Sequence, residues 1–288
     1  MITNRNISVI GGDTRLIFAA EYLAENNNNV QIYGCDHYNI SKEVKKVNAL
    51  SEALNCEIII LPLPVSKNGK TLNSPLSSEE ISINEIINKI NEKHYVFLGM
   101  GQPNLIKQIC AKTSHMCDYF NIEAFTYLNA RLTAEGVLSL ILDKLPISLY
   151  QLNIAICGYG RIAELLTHIL IPAGARVTIF ARSDEQRIKA ELSGAKSYSL
   201  NCLTEKITEF DCLINTVPHQ IIHEKIIKNS KRDCLFIETA SHPYGINFEE
   251  CINNDRKLIK AFSLPGKIAP KTAGIIIADT ISYYMQEV

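Results

Sequence analysis

Gly158-x-Gly160-x-x-Ala163 stands between a short apolar run and an amphipathic stretch, inside the segment IAICGYGRIAELLTHILIPAGARVTIFAR over residues 154–182. Residues of these types at this spacing can hold a pyrophosphate. Gly158 permits a tight turn, Gly160 lets the backbone approach the phosphates, and Ala163 allows close packing of helix on strand. The helix opened by Arg161 and Ile162, with Tyr159 between the glycines, presents free N–H groups and the positive end of its dipole. A plain glycine turn would share the motif; the strand before it and the helix after it favour a dinucleotide site.

The end of the second strand decides which dinucleotide. An NAD-preferring site usually places Asp or Glu about 20 residues past the glycines, on the ribose hydroxyls. This chain has Ala181-Arg182-Ser183 there, and no carboxylate to repel a 2′-phosphate. Arg182 and Ser183 can pair and hydrogen-bond with such a group. The expectation is NADP, with NAD kept open by Asp184 two residues on.

The elements around this motif follow from the spacing of apolar residues. Short β-branched runs at Ile7–Ile10, Val30–Tyr33, Ile58–Leu61 and Tyr95–Leu98 alternate with predicted helices over 14–26, 79–91 and 103–112. Residues 67–78, rich in Asn, Ser, Gly and Pro, read as an exposed loop over the strand ends. After a long amphipathic helix that stops at Pro146, six further strands are predicted, near 153–157, 176–181, 196–199, 211–216, 235–239 and 258–262. The alternation predicts an α/β fold of two doubly wound parallel-sheet domains, the second a Rossmann NAD(P)-binding domain. The expected division is an N-terminal α/β substrate domain over 1–125, a connector helix over 126–146 and the Rossmann domain over 147–265. A C-terminal helix over 266–288 is expected to pack back on the first domain.

Composition narrows the function class. At 288 residues, 47% hydrophobic and 20% charged, the chain is long enough for two domains with sizeable cores. A formal net charge of −1 gives no electrostatic argument for nucleic acid or an anionic membrane surface. No apolar stretch reaches the ~18 residues of a bilayer span. The nine cysteines form neither a CxxC pair nor a zinc-spaced cluster with His, so no metal site is expected. The N-terminus MITNRNISVIGG enters a strand without a signal-type segment, and the thiols are read as reduced, in a cytoplasmic protein.

Several motifs together carry a resemblance to a known family. VIGGDTR near the N-terminus, ILPLPVS, NARLTAEG, GYGR, INTVP and, most specifically, LPGKIAPKTAG at 264–274 resemble the family of dipicolinate synthase A subunits over nearly the whole chain. The resemblance implies a cytoplasmic NAD(P)-dependent oxidation, in the mother cell of a sporulating bacterium, that completes dipicolinic acid synthesis from a dihydrodipicolinate-level precursor. It also implies the flavoprotein-like B subunit of dipicolinate synthase as partner, and a homo-oligomer is expected. One departure is His242 in Ser-His-Pro-Tyr-Gly, where the family pattern suggests Arg; this counts against an essential permanent cation at that position.

A substrate with two ring carboxylates needs cations or N–H donors at two places. Gly12 and Arg15 open the first helix and form a candidate anion site, though a turn with a surface Arg reads the same way. Ser66 lies just past a strand's carboxyl end, where open sheets bind ligands. Asn129, Thr133 and Glu135 cluster with Arg131 at the start of the long helix, Thr133 as a carboxylate donor and Glu135 as a base or cation-orienting group. Thr216, Val217 and Pro218, after Asn215, should border the nicotinamide ribose. His219 and His242 are candidate proton acceptors, since only His titrates unperturbed near neutrality. Lys271 and Thr272 begin the last helix, with Lys271 the strongest single cation candidate. The substrate is expected in the interdomain cleft. Two rivals stay open: another NADP-dependent dehydrogenase of shikimate or 2-hydroxyacid type, and a catalytically silent cofactor-binding subunit.

Overall fold

The computed structural model describes residues 1–287 and contains two six-stranded parallel sheets. The first holds β1 (Asn6–Ile10), β2 (Asn29–Tyr33), β3 (Lys45–Lys46), β4 (Ile58–Ile60), β5 (Tyr95–Leu98) and β6 (Met116–Asp118) in the order β3-β2-β1-β4-β5-β6. The second holds β7 (Asn153–Cys157), β8 (Arg176–Ala181), β9 (Lys196–Ser199), β10 (Cys212–Asn215), β11 (Leu235–Glu238) and β12 (Lys257–Lys260) in the order β12-β11-β10-β7-β8-β9. Both are the doubly wound 3-2-1-4-5-6 arrangement, in which the strand order reverses beside the first strand and opens a crevice past the strands' carboxyl ends. The fold class is α/β, two doubly wound domains, the second Rossmann-like.

The central strands read as unbroken apolar runs because helices cover both faces of a parallel sheet. Ile58, Ile59 and Ile60 are all inaccessible, as are Ile154, Ala155, Ile156 and Cys157. Local chemistry sets the helix starts. Asp13 caps the helix Thr14–Glu25 by accepting from Arg15 N, Ser183 caps Asp184–Leu192 through Gln186 N, and Pro103 takes the first position of its helix.

Two short strands, β3 and β6, escape the periodicity argument, because two or three residues carry no period. The helix expected over 79–91 is shorter, Ile83–Lys89. Its first residues are instead paired with the preceding loop, where Leu72 N donates to Ile81 O and Thr71 bridges Ser82.

The chain divides into two compact units, residues 1–129 with 265–288 and residues 130–264. The division falls inside the long helix Glu123–Lys144. From Ala130 onward it belongs to the second unit, where Ala134, Val137, Ile141 and Leu145 are buried with Leu152, Ile154 and Leu166. In the first unit the last helix, Pro270–Glu287, lies against Thr14–Glu25. Gly274 makes this close approach possible: a Cβ there would stand 2.8 Å from Ala19 N and closer still to Arg15 O.

Candidate functional site

In the second unit, β7 ends at Cys157 and the chain turns through Gly158, whose φ of +89° suits glycine. A side chain there would also collide with Thr216 Oγ1 and Val217 Cγ2, each 2.8 Å from an ideal Cβ. Gly160 caps the ten-residue helix Arg161–Leu170, and an added Cβ would have no heavy atom within 4 Å. The space above that helix start is therefore open, at the place where a pyrophosphate meets the free N–H groups of the first turn.

A cavity of about 230 Å³ occupies this crevice. It is lined by Gly158, Tyr159, Gly160, Ala181, Arg182, Thr216, Val217 and Pro218, and also by Phe180, Gln186 and Leu200. The structure thus gathers at one place most of the residues that the sequence suggests for the cofactor. Three others stand back from it: Arg161 is the first residue of the helix, Ile162 packs against the core, and Ser183 is spent as a helix cap. Tyr159 is held by a 2.8 Å bond from its hydroxyl to Ser193 Oγ, and Thr216 donates to Cys157 O at 2.8 Å across the β7–β10 gap. Gln186 and Leu200 were beyond sequence reasoning, because the helix and the loop after β9 reach the crevice only through the fold.

The turn after β8 bears on cofactor choice. Asp184 is ion-paired with Arg187, whose Nη1 also donates to Ala181 O and Arg182 O, at 3.0 and 2.9 Å. The nearest carboxylate is thus engaged on its own helix, while Arg182 is exposed at the cavity wall.

The first unit has the same strand order but a different crevice. Gly12 N donates to Asn73 O at 3.0 Å, and a Cβ on Gly11 would lie 2.6 Å from Leu72 Cδ2. The chain's own loop therefore covers the glycine turn after β1. Asp36 anchors that loop by accepting from Ser78 N and Oγ at 2.9 and 2.7 Å, and these bonds hold its carboxyl below the usual range. Arg15 is buried, with Nε and Nη2 on the Asp13 carboxylate and Nη2 also on Leu63 O. The Ser66 hydroxyl donates to Thr71 O at 2.6 Å and accepts from Gly69 N at 2.9 Å. Gly12, Arg15 and Ser66 are thereby engaged by the fold itself.

The remaining candidates are divided between the units. Asn129, Lys271 and Thr272 belong to the first, the last two exposed at the start of Pro270–Glu287. Thr133, Glu135, His219 and His242 belong to the second. Thr133 is buried, and Glu135 accepts from Arg131 Nε at 2.9 Å. His219 is exposed, and His242 meets Tyr244 edge-on at 5.4 Å. Among the described residues no cluster of His, Cys, Asp and Glu is suited to a metal ion, and no helix is long and apolar enough to cross a membrane.

Comparison with known proteins adds to this geometry. Residues 6–120 match the family model for the N-terminal domain of the dipicolinate synthase A subunit. The A subunit of dipicolinate synthase from Bacillus subtilis (strain 168) is 24% identical over 299 residues, covering 100% of this chain and 98% of the relative. The chain resembles that protein from end to end. Crystal structures of dipicolinate synthase A subunits share the fold: that from Bacillus halodurans at TM-score 0.89, 23% identity and 99% coverage of both chains, and that from Bacillus subtilis at 0.85, 24%, and 100% and 97%. A transhydrogenase from Sinorhizobium meliloti has the same architecture at TM-score 0.72 and 13% identity, over 98% and 93% of the two chains. Residues 145–249 match a family model for NAD(P)-binding domains, a span that holds the whole cavity. The chain thus shares its fold with the dipicolinate synthase A subunits, and its second unit carries a domain of NAD(P)-binding type.

Proposed function

We propose that the chain is the oxidoreductase subunit of a dipicolinate synthase, oxidising a dihydrodipicolinate-level precursor to dipicolinate with NADP. The observation that supports this most is the open cavity at Gly160, beside an exposed Arg182 and in a chain that resembles the dipicolinate synthase A subunits throughout. When bound, the nicotinamide supplies the hydride acceptor. The N–H groups of the Arg161–Leu170 helix start and Gly160 hold the pyrophosphate, and Thr216, Val217 and Pro218 wall the ribose and nicotinamide side. Aromatisation removes one hydride and one proton from the ring, so a base must take the proton. His219 and His242 are the side chains proposed for that role, with Glu135 as the other candidate base or orienting group. Asn129, Thr133, Lys271 and Thr272 are proposed as the donors to the two carboxylates.

The reading extends to the flavoprotein-like B subunit as partner, a homo-oligomer, and a cytoplasmic place in the mother cell of a sporulating bacterium. The test supplies the purified chain, with and without that partner, with the dihydrodipicolinate-level precursor and NADP, following pyridine absorbance and NADPH together. Stoichiometric appearance of both is expected. Dipicolinate formed at the same rate without this chain, or with Gly160→Glu, would refute the catalytic role and leave a silent cofactor binder.

A further inference from the structure

Glu238 ends β11 wholly buried, and among the described residues no cation pairs with it. A carboxylate removed from water is costly unless hydrogen bonds replace its hydration. Here four donors do so. Oε1 accepts from Asn215 Nδ2 at 2.7 Å and Ala240 N at 2.9 Å, and Oε2 accepts from Gly245 N at 2.8 Å and Ile246 N at 2.9 Å. Burial pushes the carboxyl above its usual range while these donors pull it back. All four partners give hydrogens, which matches an ionised acceptor.

The bonds join two segments at the carboxyl ends of neighbouring strands. Asn215 lies opposite Glu238 in the β10–β11 register. Its Nδ2 also donates to Val217 O at 2.9 Å, and its Oδ1 accepts from Val217 N at 3.2 Å. Val217 is therefore clamped at both of its backbone polar groups, and it is the residue that rests against Gly158 and lines the cavity. On the other side Glu238 gathers the backbone of residues 240–246, which carries His242. Tyr244 is held there at a φ of +54°, unfavourable for a non-glycine residue. Its ring stacks on Phe262 at 5.0 Å, and Gly245 has no room for a side chain against the Asn215 carboxamide. The hydrophobic core needs none of this: an apolar residue at 238 would fill the space, but leave four donors unsatisfied and two segments unjoined.

We propose that Glu238 is a positioning residue: acting through Asn215, it fixes the Thr216–Pro218 wall of the nucleotide cavity and the His242 segment in a single relative geometry. This rests on reading the cavity as a nicotinamide-nucleotide site. Glu238 touches no part of the cavity itself, so its effect must pass through Asn215 and Val217.

The test uses the full chain and NADPH as probe, with Kd from fluorescence titration at a temperature where circular dichroism shows every variant folded. Glu238→Gln keeps the shape but offers the surrounding donors a single accepting oxygen. Asn215→Ser removes the link to Val217 and leaves the three backbone bonds to Glu238. Each is expected to weaken NADPH binding by about tenfold. A residue with a purely structural role would lower the melting temperature and leave Kd unchanged. If Glu238→Gln does not fold, Asn215→Ser decides the matter. A Kd less than fivefold above wild type in folded Asn215→Ser overturns the proposal and leaves the nucleotide reading intact. Wild-type protein that binds neither NADPH nor NADH removes both.

Discussion

Replacing Arg182 with Asp should change the preference between the two nicotinamide nucleotides, and the structure sets the size of the effect. Arg182 is exposed at the cavity wall, and the nearby Asp184 is paired with Arg187. A hydrogen bond to a charged group contributes about 1.5–3 kcal/mol, and solvent exposure places this one at the lower end. Loss of the guanidinium should therefore cost about 1.5 kcal/mol toward NADPH, roughly tenfold in Kd. A carboxylate adds repulsion from the 2′-phosphate of about 1 kcal/mol at a water-screened 4 Å. Arg182→Ala should accordingly weaken NADPH binding roughly tenfold, and Arg182→Asp by about 30- to 100-fold, with NADH within threefold of wild type in both. Fluorescence titrations of both nucleotides at low and high salt measure this, and the NADPH penalty should shrink as salt rises. Equal losses for NADPH and NADH, or no loss for either, would refute the assignment of Arg182 to the 2′-phosphate.

The rest of the molecule offers further tests. Gly160→Ala should leave the melting temperature nearly unchanged, since φ is −99° and the added methyl meets nothing, yet weaken nucleotide binding at least tenfold by occupying the pyrophosphate's approach. Gly274→Ala should destabilise the fold by about 3 kcal/mol in chemical denaturation, because the methyl meets the backbone of Thr14–Glu25 and the two helices must part. Asp36 has a depressed carboxyl in the folded state, so its contribution is present above the unfolded value of about 4 and is lost as pH falls through the folded one. Thermal melts of Asp36→Asn should therefore lie below wild type at neutral pH and converge with it in acid. Burial pushes the Cys35 and Cys234 thiols up to about 12, and those of Cys117 and Cys251 to about 11. A thiolate-specific reagent at pH 8 should modify exposed Cys110 first and half-buried Cys202 more slowly, and reach the buried thiols only on unfolding.

Much of this protein is legible in its sequence because the relevant forces are local. Gly158 and Gly160 are needed by the backbone of a single turn, and unbroken runs such as Ile58–Ile60 and Ile154–Cys157 announce strands covered on both faces. Those signals suffice for the strand–helix alternation, the doubly wound class and the nucleotide motif. Tertiary structure decided what each motif is free to do. The turns after β1 and β7 look alike as glycine-bearing strand ends. Yet the first is covered by a loop some 60 residues further on, through Asn73 and Leu72, while Gly160 faces open space. Arg15 and Ser66 read as ligand groups in isolation, but Asp13, Leu63 and Thr71 satisfy them within the fold. Glu238 closes an apolar run with nothing nearby in sequence to mark it, and its four donors come from segments up to 23 residues away. Periodicity records which face of an element is buried; the partner of a polar group depends on the path of the whole chain, and that only the packed structure supplies.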